Sequence, residues 1–154
     1  MRKEIRLNKK TVLNILLFLL FMAKGEMLIA QKPEMYYGDL DIPTRPYAKD
    51  PYVIFFQGKY WMYYSVPGAQ FKEWYIGIAN SNDLIHWDKK GNIKGQKGTV
   101  EEKGICAPGA LVKDGVLHLF YQTYVNGKLD AICHAYSTNG IAFERDATNP
   151  IFML

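Results

Sequence analysis

This sequence predicts an all-β fold of the β-propeller type, and three observations predict it. From residue 45 onward, short runs of β-branched and aromatic residues alternate with turn residues. The pattern then returns at a fixed spacing, with Pro51 and Gly58 recurring as Pro108 and Gly115, 57 residues on. Beyond residue 31 no stretch sustains a helical period.

Each element follows from its own residues. Tyr52–Gln57 and Lys59–Ser65 flank Gly58, the signal of a hairpin. Trp74–Ala79 (WYIGIA) reads as a third strand, Ser81-Asn82-Asp83 as a turn, and His86–Asp88 as a short outer strand. FFQGKYWMYYS aligns with LVKDGVLHLFYQ, so Tyr64 matches Tyr121. IGIANSNDLIHW aligns with ICHAYSTNGIAF at an offset of 56, which pairs Ala79 with Ala135, Ser81 with Ser137 and Trp87 with Phe143. Two four-strand units of this kind stack radially. A sandwich would also have short strands, but not turn chemistry repeated at a constant offset. Two blades leave both outer faces without neighbours, so the expectation is a fragment: the front of a longer protein, or a truncated gene product that needs a partner.

The N-terminus reads differently. MRKEIRLNKK is basic, TVLNILLFLLFMA is apolar but short for a membrane span, and MLIAQ offers a small residue before a polar one. A secretory signal peptide over residues 1–30, cleaved after Ala30, is expected, with an uncleaved anchor as the alternative. Residues 31–45 form a lead-in, and 46–154 a partial propeller, with blade one over about 46–100 and blade two over about 101–154. The leader has six Lys/Arg and two acids, the same net +4 as the whole chain, so the remainder carries thirteen of each sign. That neutrality gives no support for a nucleic-acid partner. Nor is a membrane partner expected beyond the cleaved leader, and localisation is expected to be secreted or periplasmic.

The two cysteines, Cys106 and Cys133, permit one disulfide or two half-buried free thiols. Neither they nor His86, His118 and His134 show metal-ligand spacing, so no metal or other cofactor is expected. His118 and His134 sit in strand patterns and read as structural, whereas His86 braces the turn. The sequence has no G-x-S-x-G and no phosphate loop.

The stretches KDPYVIFFQGKYWMYYS, IGIANSNDLIHW and APGALVKDGVLHLFYQTY resemble the five-bladed β-propeller glycoside hydrolases, especially family 43 and its relatives in families 32, 62 and 117. The resemblance covers about residues 45–152, or about the first two of five blades. It implies a secreted enzyme that hydrolyses O-glycosyl bonds of oligo- or polysaccharides such as arabinose- or xylose-containing glycans. In these families a first-blade Asp just before the innermost strand is general base or nucleophile, and Asp50 matches it. A second-blade carboxylate commonly follows an Ala-Pro pair, where CAPGAL here has Gly109. That departure points to a divergent relative of family 43. The general acid of the family belongs to later blades, so the 154-residue chain alone is expected to be inactive.

Glycoside cleavage needs two carboxyl groups flanking the scissile bond. Asp50 is well placed because Pro51 fixes its own φ and is expected to hold the preceding residue extended. The alternative role for Asp50 is turn capping. In up-and-down blades the loop between strands two and three returns to the face where strand one starts. This nominates Val66–Glu73 with Trp74, and Thr123–Asp130, as pocket rim. Trp74 and Tyr52 offer rings on which a sugar could stack, against a plain role in packing between blades. Asp130 is a candidate second acidic group as well as a turn residue. Asp39 and Asp41 are expected to be solvated. A non-catalytic carbohydrate-binding propeller fragment is the competing function class.

Overall fold

The computed structural model describes residues 8–10, 12, 39, 47–68 and 72–153. The chain divides into two units, Met1–Glu34 and Met35–Leu154. In the first, Asn8 opens a helical turn: its side-chain oxygen accepts the Lys10 backbone N–H at 2.9 Å and its carbonyl accepts that of Val12 at 3.0 Å. The rest of the expected leader, its cleavage point, Asp41 and most of the lead-in lie outside the described residues. Among the described residues no helix is long and apolar enough to cross a membrane.

The second unit carries two antiparallel sheets. The first has the order β1 (Lys49–Phe56), β2 (Lys59–Pro67), β3 (Trp74–Ser81), β4 (Asp88–Ile93). The second has β5 (Ile105–Lys113), β6 (Val116–Thr123), β7 (Ala131–Ser137), β8 (Glu144–Arg145), with β9 (Phe152–Met153) also pairing with β7. This is the repeated up-and-down unit that the sequence predicts, an all-β partial propeller. The hairpins close alike: Gln57-Gly58 and Asp114-Gly115 all take positive φ, between +50° and +76°. Two central residues of that sign make the turn that matches the natural twist of strands.

Burial explains the composition of the central strands. β2 is buried on both faces from Trp61 onward, and its sequence YWMYYS is accordingly apolar without alternation. β6 alternates, burying Leu117, Leu119, Tyr121 and Thr123 but half-exposing His118 and Phe120. The core between the sheets joins Trp61, Tyr63, Ile76 and Ile78 to Leu117, Leu119, Tyr121, Cys133 and Ala135. A second cluster, Met62, Tyr64, Val66, Tyr75 and Ala79, covers the other face of the first sheet. Both cysteines are free and buried.

Two local expectations are corrected. The outer strand β4 starts at Asp88, not His86, because Asp83 Oδ1 accepts the backbone N–H of Ile85 and His86 at 2.9 and 2.8 Å and holds them in the turn. His86 does brace that turn, with Nδ1 lying 2.6 Å from Asp83 Oδ2. Asp39 is not solvated. Its carboxylate is buried, accepting from Tyr64 Oη at 2.8 Å and from Lys89 Nζ at 2.6 and 2.7 Å. A buried carboxylate is tolerated only when paired in this way.

Candidate active site

Asp50 and Pro51 lie within β1, where the pairing with β2 slips between Lys49↔Ser65 and Tyr52↔Tyr63. The same slip recurs in β5, between Cys106↔Gln122 and Gly109↔Phe120. Each is a β-bulge, and each carries a non-glycine residue at positive φ directly before proline: Asp50 at +50° and Ala107 at +48°. The expectation that Pro51 holds Asp50 extended is therefore wrong. Proline disfavours the right-handed helical region for its predecessor, and the extra residue of the bulge turns the chain to the left-handed side instead. Asp is among the few residues that tolerate it.

The bulge aims the Asp50 carboxylate at β2. Oδ2 accepts from Ser65 Oγ at 3.2 Å and lies 3.8 Å from Lys49 Nζ. Ser65 Oγ in turn accepts the Ala107 backbone N–H at 2.8 Å. The Lys49 pair is exposed on both sides and adds little by itself. Both contacts fall on Oδ2, which presents Oδ1 for other chemistry. Burial, and next the charge of Asp50, push the neighbouring Cys106 thiol up to about 11, with Asp130 adding in the same direction. A thiol so raised stays protonated near neutral pH and is not a nucleophile there.

Trp74 stands at the same end. Its ring takes Lys49 Nζ at 5.9 Å and meets Tyr47 and Tyr124 edge-to-face at 6.3 and 5.8 Å. Its backbone forms a parallel bridge to Gly104, where an added Cβ would come within 2.8 Å of the Trp74 nitrogen. Trp74 is half-buried, so packing accounts for part of its surface and leaves the rest accessible. Asp130 is half-buried, and its Oδ1 accepts the Asn126 backbone N–H at 3.0 Å, which makes it a brace of its own loop. Tyr52 pairs across to Tyr63, shares a face with Ile54 and Phe56, and remains 41% exposed on the inner strand. The structure therefore gathers Asp50, Trp74 and Lys49 directly, and Asp130 only through its field on Cys106.

Ser65 and the Ala107 amide escape a reading of the sequence. The signal that could have found Ser65 is a break in the repeat, since its counterpart 57 positions on is Gln122. At Gly109 a Cβ would meet nothing within 4 Å, so packing does not dictate the missing carboxylate. A groove of about 440 Å³ beside Gln96, Glu101, Arg145 and Asn149 includes none of the nominated residues. Its main charges are already paired, Arg145 Nη2 with Glu101 Oε2 at 3.0 Å. His118, His134 and Asp146 form a chain, with Nδ1 of His118 3.0 Å from Nε2 of His134 and Nδ1 of His134 2.9 Å from Asp146 Oδ2. Both His134 nitrogens are thereby used, and among the described residues no group of His, Cys and carboxylates is arranged to hold a metal ion.

Residues 42–154 match the model of the glycosyl hydrolases family 32 N-terminal domain. The chain belongs to this family. Of the families that the motifs resemble, the match falls on family 32. A sucrose-6-phosphate hydrolase of Zymomonas mobilis is 32% identical over 132 residues, covering 79% of this chain and 25% of that protein. This family 32 domain thus spans about a quarter of the length of the curated relatives it matches. Solved structures share its fold. Fructan 1-exohydrolase IIa from Cichorium intybus superposes with a TM-score of 0.61 at 16% identity, over 68% of this chain and 21% of that one. The family 117 glycoside hydrolase Zg3597 of Zobellia galactanivorans gives 0.57 at 22%, over 70% and 34%.

Proposed function

We propose that this family 32 domain is the part of a glycoside hydrolase that supplies its first carboxylate, with Asp50 as general base or nucleophile. The observation that carries the reading is the bulge at Asp50-Pro51, which presents one carboxylate oxygen at the strand end where Trp74 stands. Oδ2 is occupied by the Ser65 hydroxyl, so Oδ1 is the oxygen that would attack an anomeric carbon or take a proton from water. Trp74 would pack against the apolar face of a sugar ring, Lys49 would meet its hydroxyls or a phosphate, and Tyr52 and Asp130 would lie farther along the rim. No cofactor enters this chemistry.

The substrate is a carbohydrate with an O-glycosidic bond. The sucrose-6-phosphate hydrolase relative favours a sucrose-type glycoside over the arabinose- or xylose-containing glycans first expected. The basic start and apolar run of residues 1–30 support export, to the periplasm or the medium. Gly109 supports the second reading, a propeller that binds carbohydrate without cutting it.

The deciding experiment is Asp50→Asn in the full-length gene product, assayed on sucrose and sucrose 6-phosphate beside an aryl-arabinofuranoside and an aryl-xyloside. Hydrolysis of at least one of them should fall about 100- to 10,000-fold with an unchanged circular dichroism spectrum. Undiminished turnover would remove Asp50 from the chemistry. Saturable sugar binding without turnover in the unaltered protein would select the binding module.

A further inference from the structure

We propose that Ser65 is the positioning residue of Asp50, a buried hydroxyl through which the second sheet fixes the carboxylate of the first. The proposal rests on the reading of Asp50 given above. Ser65 is fully buried, yet its partners come from two sheets. Its Oγ accepts the Ala107 N–H at 2.8 Å and reaches Asp50 Oδ2 at 3.2 Å.

The direction of the hydrogen bonds follows from the inventory of donors. A backbone N–H can only donate, and an ionised carboxylate can only accept. The one proton of the Ser65 hydroxyl therefore goes to Asp50. A hydroxyl that accepts from an amide is polarised into a stronger donor, so the two bonds reinforce each other. The carboxylate of an exposed residue on a bulge would otherwise rotate among rotamers, because the Lys49 contact is long and solvent-screened. Ser65 removes that freedom from one side and ties the setting of Asp50 to the position of β5.

The two bulges supply this link together. Lys49↔Ser65 and Cys106↔Gln122 are the ladder pairs at which each slip begins. At the first, the inner-strand bulge turns Asp50 toward Ser65; at the second, it turns the Ala107 amide out of its own ladder toward the same atom. Gln122 stands at the equivalent place in the second sheet, where the repeat does not preserve the hydroxyl.

The test has one readout that does not depend on turnover. In the present chain, with aspartate labelled at its carboxyl carbon, the Asp50 signal should be single and sharp in the unaltered protein and in Ser65→Thr. It should move or broaden in Ser65→Ala and in Ser65→Cys, the latter keeping the volume if alanine impairs folding. An Asp50 signal indifferent to all three substitutions would overturn the inference. In the full-length gene product, Ser65→Ala should lower kcat about 100-fold with KM within about twofold, and Ser65→Thr should restore most of it. A loss of stability that Thr repairs, with the Asp50 signal and kcat unmoved by Ala, would assign Ser65 to structure alone and refute positioning. If the signal responds as expected but Asp50→Asn keeps full turnover, the link stands and the role given to Asp50 falls.

Discussion

At Asp50 and Ala107 the same bulge serves two ends, one presenting a carboxylate and the other a backbone N–H. The sequence exposes the first, because Asp-Pro before an aromatic run is visible in the letters. It conceals the second, because any residue type supplies an amide, and only the fold brings it beneath Ser65. The place of Trp74 at the start of a strand near Asp50 was legible from the topology of an up-and-down unit, whereas its edge-on setting between Tyr47 and Tyr124 depends on contacts across 27 and 50 positions. The thiols invite a prediction at this scale. Burial pushes both Cys106 and Cys133 up to about 11, so the folded state holds their protons longer than the unfolded chain does. Their contribution to stability is complete below the ordinary thiol pKa of about 8.5 and fades as pH rises toward about 11. Alkylation by iodoacetamide at pH 8 should therefore be at least about tenfold slower in the native protein than in urea, as followed by intact mass.

Among the elements, the turns repeat more faithfully than the strands. Ser81 and Ser137 each take two backbone N–H groups, from Asp83 and Leu84 in one unit and from Asn139 and Gly140 in the other. These turns were readable because their chemistry is local. β4 was not, since DKKGNI is an edge strand whose polar residues give no period of two. The linker between β4 and β5 is organised by Glu101, which is 2% exposed and accepts from Tyr121 Oη at 2.6 Å and from Arg145 Nε and Nη2 at 3.0–3.1 Å. Glu101→Ala should cost about 3–5 kcal/mol in urea unfolding, by leaving the guanidinium without its carboxylate. Replacing both partners, as Glu101→Leu with Arg145→Met, should cost distinctly less than the sum of the single changes. At the end of β8, hydrogen bonds from Thr148, and then from His134, hold the Asp146 carboxyl at about 2. A depressed carboxylate stabilises above its ordinary pKa and loses that effect as pH falls from about 4 to about 2. Asp146→Asn should flatten the acid limb of the thermal-stability profile in that window.

For the molecule as a whole, the two sheets meet through a turn as well as a core. Gly140, at φ +77°, lies against the Trp61 ring, where a Cβ would approach to 3.0 Å, and its carbonyl accepts Tyr63 Oη at 2.9 Å. Gly140→Ala combines the cost of a left-handed backbone with this crowding and should lower stability by at least about 1–2 kcal/mol, measured by chemical unfolding. The counterpart in the first sheet is Leu84, which keeps φ +65° with its side chain 42% exposed. The stacking of the units was legible from the offset alone, but which face meets which was not. It follows now from the repeat: Trp61, Tyr63, Ile76 and Ile78 pack on the second sheet, and the same offsets lead from them to His118, Phe120, Ile132 and His134, on the half-exposed far side. Such units are directional, with a head and a tail that differ, so contacts through these faces run head to tail, and the rotation at each step decides between a ring and a filament. On the side of the second cluster, Asp39 is fastened to Tyr64 and Lys89. That buried carboxylate is a clasp holding two strands of the first sheet from outside it, and Asp39→Ala, which takes an acceptor from both the Tyr64 hydroxyl and the Lys89 ammonium, should lower the midpoint of urea unfolding.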